Sequence, residues 1–213
     1  DDAVHLMASV WDTETKTVLP ETGLSVAIYR DDSLVSQEAI YPMLSQPMGF
    51  HYGANFGLDG DGVYTVELSV GAVSTRRTGA FADRFTDPAT AEIRFDYSEA
   101  AKNEIAFDRM GDRTATRGAV DPMAMENLPD SFAPPEDGLP GRVVGAPTSD
   151  DARFVVTVLD SPPAGVAGEG RYVAVSPRTR YNRMVLPAMG LSGTLERGDD
   201  VVYDGPFERT LDP

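Results

Sequence analysis

Hydrophobic and polar residues alternate with a period of two in several segments of the first hundred residues. These segments are AVHLMASVW (3–11), GLSVAIYR (23–30), GVYTVELSV (62–70) and AEIRFDY (91–97). Successive side chains of a β-strand point to opposite faces, so this period predicts half-buried strands. The pattern returns later in RFVVTVLD (153–160), GRYVAVS (170–176), GLSGTLER (190–197) and DVVYDG (200–205). We therefore predict an all-β chain.

A different pattern separates the two groups of predicted strands. The stretch SEAAKNEIAFDRM (98–110) has helical character, and Ser98 is placed to cap the N-terminus of a short helix. The segment 111–141 is rich in Pro, Gly, Asp and Met and has no period, which predicts a long Pro/Gly-rich connecting arm. These features divide the chain into a first module (1–110), the arm (111–141) and a second module (142–213).

An internal repeat relates the two modules. With a shift of 167 residues, VLPETGLS (18–25) falls on VLPAMGLS (185–192), and ten of the 32 pairs from Val4/Arg171 to Val35/Val202 are identical. A repeat of this length predicts two copies of one β module. The counterpart of MGFHYGAN (48–55) would begin after Pro213, so we expect the second copy to be divergent and incomplete at this end.

Composition and charge narrow the class of protein. The net charge of −16 argues against nucleic acid as a partner, because a phosphate backbone requires a basic surface. Lys16 and Lys102 are the only lysines among 18 basic residues, and an acidic, lysine-poor surface is typical of a protein kept soluble in very high salt. The chain has no cysteine, which excludes disulfides and thiolate sites. No apolar stretch is long enough to predict a transmembrane helix.

The two histidines of the chain are candidate metal ligands. His5 and Met7 are two residues apart on one predicted strand and therefore share a face. Met43, Met48 and His51 lie close together in the sequence near the end of a second strand. Imidazole and thioether ligands suit copper, especially Cu(I), better than iron or zinc. The alternative is that His5 faces solvent, His51 is a hydrogen-bonded structural residue and the methionines fill the core.

A family resemblance favours the metal-binding interpretation. The motif HYGAN (51–55), the Met-containing segment before it, the strand GVYTVELSV after it and the upstream HLMA (5–8) together resemble the periplasmic iron-transport accessory family. The resemblance covers residues 3–97. It implies an immunoglobulin-like, dimeric protein that binds copper and iron and accompanies an iron permease; some relatives are surface lipoproteins.

The resemblance also assigns residues, and this chain departs from the family at several of them. His5 and His51 match two of the family's histidines, and the family's methionine falls on Met43 or Met48. Met7 stands where the family has an acidic residue, and the acidic residue shortly before HYGAN is missing. Arg77 or a neighbour stands where the family has its last histidine. Without hard oxygen ligands, copper is the expected metal and iron the second choice.

These observations combine into one prediction of fold and function. The fold is tandem immunoglobulin-like β-sandwiches with one short helix and a long connecting arm. The function is that of a copper- or iron-binding accessory protein outside the cytoplasm, not an enzyme, with an iron permease and a second copy of the chain as partners. A lipid anchor would lie on a segment outside this sequence. The alternative function is a cell-surface structural or interaction protein that has kept the fold and lost the metal site.

Overall fold

The structure is a computed structural model that describes residues 3–107, 109–116, 119–120, 123, 128–129 and 131–212. Within these ranges the chain forms β-strands and one short α-helix, which confirms the all-β prediction. The first strands are β1 (Val4–Ala8), β2 (Leu24–Arg30), β3 (Ser33–Ser45), β4 (Gly49–Phe56), β5 (Gly62–Val70), β6 (Arg76–Arg77) and β7 (Ala89–Tyr97), followed by helix α1 (Glu99–Asn103). The later strands are β8 (Arg142–Gly145), β9 (Thr148–Ser149), β10 (Ala152–Leu159), β11 (Tyr172–Thr179), β12 (Ser192–Arg197), β13 (Asp200–Pro206) and β14 (Thr210–Leu211).

The chain divides into two compact units, each built from several segments. The first unit comprises Asp1–Trp11, Thr22–Ala72 and Asp87–Asp130, and the second comprises Asp12–Glu21, Val73–Thr86 and Ser131–Pro213. The predicted arm (111–141) lies partly outside the described residues. Its described parts include two 3₁₀ turns, Gly111–Arg113 and Glu136–Gly138.

A six-stranded antiparallel sheet, in the order β1-β4-β3-β2-β5-β7, forms the first unit. The two parts of the long strand β3 pair with different strands: its residues 33–40 pair with β2, and its residues 41–45 pair with β4. Because the pairing partner changes along β3, the sheet can curl into two layers, as in a β-sandwich. Pro42 lies in the second half of β3, which suits a residue without an N–H on a strand paired on one side.

The core of the first unit follows from the alternation seen in the sequence. In β2, every second residue (Leu24, Val26 and Ile28) is buried, and in β4 Phe50, Tyr52 and Phe56 are buried in the same way. Burying an aliphatic or aromatic side chain of this size contributes about 1.5–3 kcal/mol. The hydroxyl oxygen of Tyr52 also accepts a hydrogen bond of 3.2 Å from the backbone N–H of Thr22. The buried face of β4 fixes the direction of its other face, which carries the candidate site.

The second unit contains three small sheets. Strands β8, β10 and β11 form an antiparallel sheet in the order β11-β10-β8, and the short strand β9 also pairs with β10. Strands β12 and β13 form a hairpin, and β14 pairs in parallel with β6. Within this unit Arg76 forms an ion pair of 2.5 Å with Glu208.

The hairpin β12–β13 has the same register as β2–β3, which supports the predicted repeat. Arg30 pairs with Ser33 and Arg197 with Asp200, positions that the 167-residue shift relates to each other. Both ladders shift register at the equivalent point, after Ile28 in one hairpin and after Leu195 in the other. A shared bulge is a specific feature, because bulges are set by local sequence and kept within families. The presence of two tandem sandwiches remains a prediction.

Two elements differ from their sequence-based predictions. The helix predicted over 98–110 ends at Asn103: Ser98 caps it as expected, through a hydrogen bond of 3.1 Å from the backbone N–H of Ala101. The helix buries none of its residues, so no apolar face stabilises further turns. The HYGAN segment, expected at a strand end, lies inside strand β4, whose first five residues are all buried.

Candidate metal centre

The predicted ligands lie mainly on the outer face of the layer formed by β1, β4 and β3. His5 is opposite Asn55, Met7 is opposite Gly53, and Met43 is opposite His51. Directly opposed residues of antiparallel strands project to the same face. Because Phe50 and Tyr52 lie on the core face of β4, the alternate residues of β4 and their partners on β1 and β3 lie on the opposite face. On this outer face His5, Met7 and Asn55 are exposed, whereas His51 and Gly53 are buried.

Two potential ligand atoms converge above Gly53. A Cβ atom built on Gly53 would lie 3.0 Å from Nε2 of His5 and 3.0 Å from Sδ of Met43. The two ligand atoms are therefore no more than 6.0 Å apart, twice that distance. His5 reaches this point from the position opposite Asn55, and Met43 reaches it from the position opposite His51. The missing side chain of Gly53 leaves the space between them open.

The hydrogen bonds of the two histidines leave one nitrogen of each ring available. Nδ1 of His5 lies 2.6 Å from the amide oxygen of Asn55, and Nδ1 of His51 lies 3.1 Å from the carbonyl oxygen of Gly49. Both oxygens are acceptors, so these hydrogen bonds require the tautomer with the proton on Nδ1 and the lone pair on Nε2. This is the arrangement of metal-binding histidines, whose second nitrogen donates to a protein oxygen.

The remaining predicted ligands occupy different positions. His51 is buried, at 3% exposure, on the strand position two residues before Gly53. Met7 is half exposed directly across from Gly53. Met48 lies in the turn between β3 and β4, where its backbone N–H donates to Oγ of Ser45 over 3.2 Å. Arg77 lies in the second unit, and its guanidinium donates to the carbonyl oxygen of Val73 over 2.6 Å.

The potential donor atoms of this outer face are of kinds that suit copper better than iron. The described residues contain no group of three or more His, Cys, Asp or Glu side chains that could hold a metal ion. The atoms available are imidazole nitrogen and thioether sulfur, which are soft to borderline ligands. The space above Gly53, which a Cβ would fill, lies between one atom of each kind. Iron would lack the oxygen ligands that it prefers.

Sequence reasoning missed two residues of this face, Gly53 and Asn55. Both belong to the HYGAN motif, and the alternation of β4 places both on the same side as His51. Recognition of HYGAN as a strand would have found them, because residues 51, 53 and 55 then form one row.

Comparisons with known proteins give a separate family match for each half of the chain. Residues 8–108 match the family described as Fe2+ transport protein. The resemblance seen in residues 3–97 is therefore confirmed: this part of the chain is similar to an iron-transport family. Residues 137–213 match a second family, described as a domain of unknown function (DUF7350).

Two solved structures of FetP from uropathogenic Escherichia coli are similar to this chain, each at 22% identity and a TM-score of 0.38. One is a copper-bound variant; the match covers 45% of this chain and 73% of FetP. The other is the protein as isolated after expression in the E. coli periplasm, with 46% and 73% covered. No curated protein matches the chain. Within the described residues, no helix is long and apolar enough to cross a membrane.

Proposed function

We propose that this protein binds copper as Cu(I) on the outer face of β1, β4 and β3 and serves as an accessory protein of an iron-transport system. His5 and Met43 are the two principal ligands, and His51 and Met7 are additional ligands within reach of the same face. The observation that carries the proposal is the convergence of His5 Nε2 and Met43 Sδ above Gly53. When bound, the metal supplies redox chemistry or a cargo for delivery.

The residues of this outer face favour Cu(I) over Cu(II) and Fe(II). Cu(I) is stabilised by thioether and imidazole ligands and tolerates low coordination numbers, whereas Fe(II) and Cu(II) gain more from oxygen and additional nitrogen donors. Met7 occupies the place where an acidic residue is expected from the family resemblance. This exchange adds a soft ligand at the point where a hard one would favour iron.

The family of residues 8–108 supports a role beside an iron permease. We place the protein outside the cytoplasm, at the cell surface or in a periplasm-like space, and expect an acidic surface adapted to high salt. A second copy of the chain is a further proposed partner. The protein acts by binding metal and is not proposed to be an enzyme.

Anaerobic competition titration against a chromophoric Cu(I) chelator, at high salt, tests the proposal. The wild-type chain is expected to bind one Cu(I). The variants His5→Ala and Met43→Leu are each expected to lose about 100-fold or more in Cu(I) affinity. Mutation of an outer-shell partner lowers metal affinity by about 10–100-fold, and loss of a direct ligand should cost at least as much. The double variant of His5→Ala with His51→Ala loses specific binding, and Fe(II) binds the wild type more weakly than Cu(I).

A matched control separates ligand loss from loss of any methionine. Met184 lies in the second unit and is buried, and Met184→Leu conserves volume. This variant keeps wild-type Cu(I) affinity. Equal, weak binding by the wild type and all variants would contradict the proposal.

That negative result would favour the second candidate function, a cell-surface structural or interaction protein. The absence of any His, Cys, Asp or Glu cluster among the described residues is the observation that supports it. In that case the fold would have been kept while the metal chemistry was lost, and the search would turn to protein partners.

A further inference from the structure

Asn55 contacts the candidate ligand His5 from the neighbouring strand. The two residues are directly opposed in the β1–β4 ladder, and the amide oxygen of Asn55 lies 2.6 Å from Nδ1 of His5. Both side chains are exposed on the outer face. A short hydrogen bond between two exposed side chains adds little to folding stability, since water offers each group an alternative partner. Its consequence for the orientation of the ring is larger.

The hydrogen bond selects both the tautomer and the direction of the imidazole. The amide oxygen only accepts, so it selects the tautomer in which Nδ1 carries the proton. Nε2 then carries the lone pair, and it is this atom that lies 3.0 Å from the Cβ position of Gly53, facing Sδ of Met43. A neutral histidine side chain in water favours the opposite tautomer, with the proton on Nε2. Without Asn55, the lone pair would be on the nitrogen that points away from Met43.

We propose that Asn55 is the positioning residue of the copper site: it holds His5 in the Nδ1–H tautomer with Nε2 directed at the space above Gly53. The inference deepens the proposed function, and its metal-binding part rests on that function. Asn55 itself is not a ligand. The HYGAN motif therefore supplies three separate elements on one face of β4, namely a second histidine, an open space and an orienting acceptor.

The test combines two measurements on the full chain. Long-range ¹H–¹⁵N correlation spectra of ¹⁵N-histidine-labelled protein without metal report the tautomer, and with two histidines in the chain each ring is assigned through its alanine variant. Cu(I) competition titration reports the affinity. The variants are Asn55→Ala, which removes the acceptor, and Asn55→Asp, which keeps one. Asn103→Ala, at an exposed position of α1, is the matched control.

In the wild type, His5 is expected in the Nδ1–H form. Asn55→Ala shifts His5 toward the Nε2–H form and weakens Cu(I) binding about 10–100-fold, as outer-shell substitutions do. Asn55→Asp restores both the tautomer and the affinity, and Asn103→Ala changes neither. The His51 signals stay constant throughout because the acceptor of that ring is the backbone of Gly49.

Other outcomes are distinguishable from one another. An Nε2–H tautomer of His5 in the wild type, or an Asn55→Ala variant with unchanged tautomer and affinity, would overturn the positioning role. The expected tautomer change in a protein that binds no copper would support the orienting hydrogen bond and overturn the proposed function instead.

Discussion

Substitution of Gly53 by valine is expected to abolish tight Cu(I) binding while leaving the fold intact. A Cβ at this position lies 3.0 Å from both His5 Nε2 and Met43 Sδ, closer than nearly all real Cβ contacts. The branched side chain would fill the space where the metal must lie and would push the two ligand atoms apart. Loss of ligand geometry on the scale of 1 Å is enough to disable a site, so affinity should fall by about 100-fold or more.

Gly53 is buried, but the atoms nearest to its Cβ position belong to two flexible side chains, which can move without displacing the backbone. Valine is also a favoured strand residue, so the fold should tolerate this substitution. Circular dichroism and thermal unfolding check the fold, and chelator competition checks the affinity. Gly145→Val is the matched control, since Gly145 also lies in a strand and its Cβ would meet only Pro147 at 3.9 Å. Tight binding by the Gly53→Val variant would show that the metal lies elsewhere.

Replacement of Asp12 by asparagine is expected to produce the largest loss of stability of any substitution considered. Asp12 is buried, and one carboxylate oxygen accepts from both the backbone N–H and the hydroxyl of Thr15. The other oxygen pairs with Arg84 at 2.6 Å, and that guanidinium also lies over the rings of Phe81 and Phe85. Asparagine has no charge and only one acceptor oxygen, so either the Thr15 donors or the Arg84 guanidinium lose their acceptor, which costs about 2–3 kcal/mol.

The loss of stability in the Asp12→Asn variant is expected to depend on pH. Burial alone would raise the pKa of Asp12, but hydrogen bonds from Thr15 and Arg84 and the charge of Arg84 outweigh it and hold the pKa below its usual value. A carboxyl group with a lowered pKa in the folded state stabilises the protein above its unfolded-state pKa, and this contribution is lost as the pH falls through the folded-state pKa. The difference between wild type and variant should therefore be full at pH 7 and shrink below about pH 4.

Chemical denaturation followed by circular dichroism measures this difference. Glu14→Gln is the matched control, because Glu14 pairs with the same Arg84 at 3.2 Å but is exposed. An exposed pair of this kind contributes less than about 1 kcal/mol. Equal losses for Asp12→Asn and Glu14→Gln, or a difference that does not depend on pH, would contradict the account of this buried pair.

The strands that could be predicted from the sequence are those with one apolar and one polar face. β2 and β5 were predicted over 23–30 and 62–70 and are observed at Leu24–Arg30 and Gly62–Val70, because apolar residues alternate cleanly along both. β3 and β4 were missed as strands. Pro42 in β3 and Gly49 and Gly53 in β4 resemble strand breakers, although an edge position tolerates the proline and the outer face requires the glycine at 53.

The candidate site could be predicted in part. Residue types identified His5, His51 and the methionines, but spacing could not choose between Met43 and Met48, since the choice depends on strand register. Pairing of β3 with β4 puts Met43 opposite His51, whereas Met48 lies in the turn between these two strands. The predicted helix was longer than the observed one because no apolar face stabilises it beyond Asn103: Ile105 and Phe107 are both largely exposed.

X-ray absorption spectroscopy of the protein loaded with one equivalent of Cu(I) tests the central claim most directly. The account predicts a first shell with both nitrogen and sulfur scatterers in the wild type. It predicts loss of sulfur scattering in the double variant that combines Met43→Leu with Met7→Leu. It also predicts fewer imidazole scatterers in His5→Ala. A first shell of nitrogen and oxygen alone, unchanged by these substitutions, would contradict a copper site between His5 and Met43.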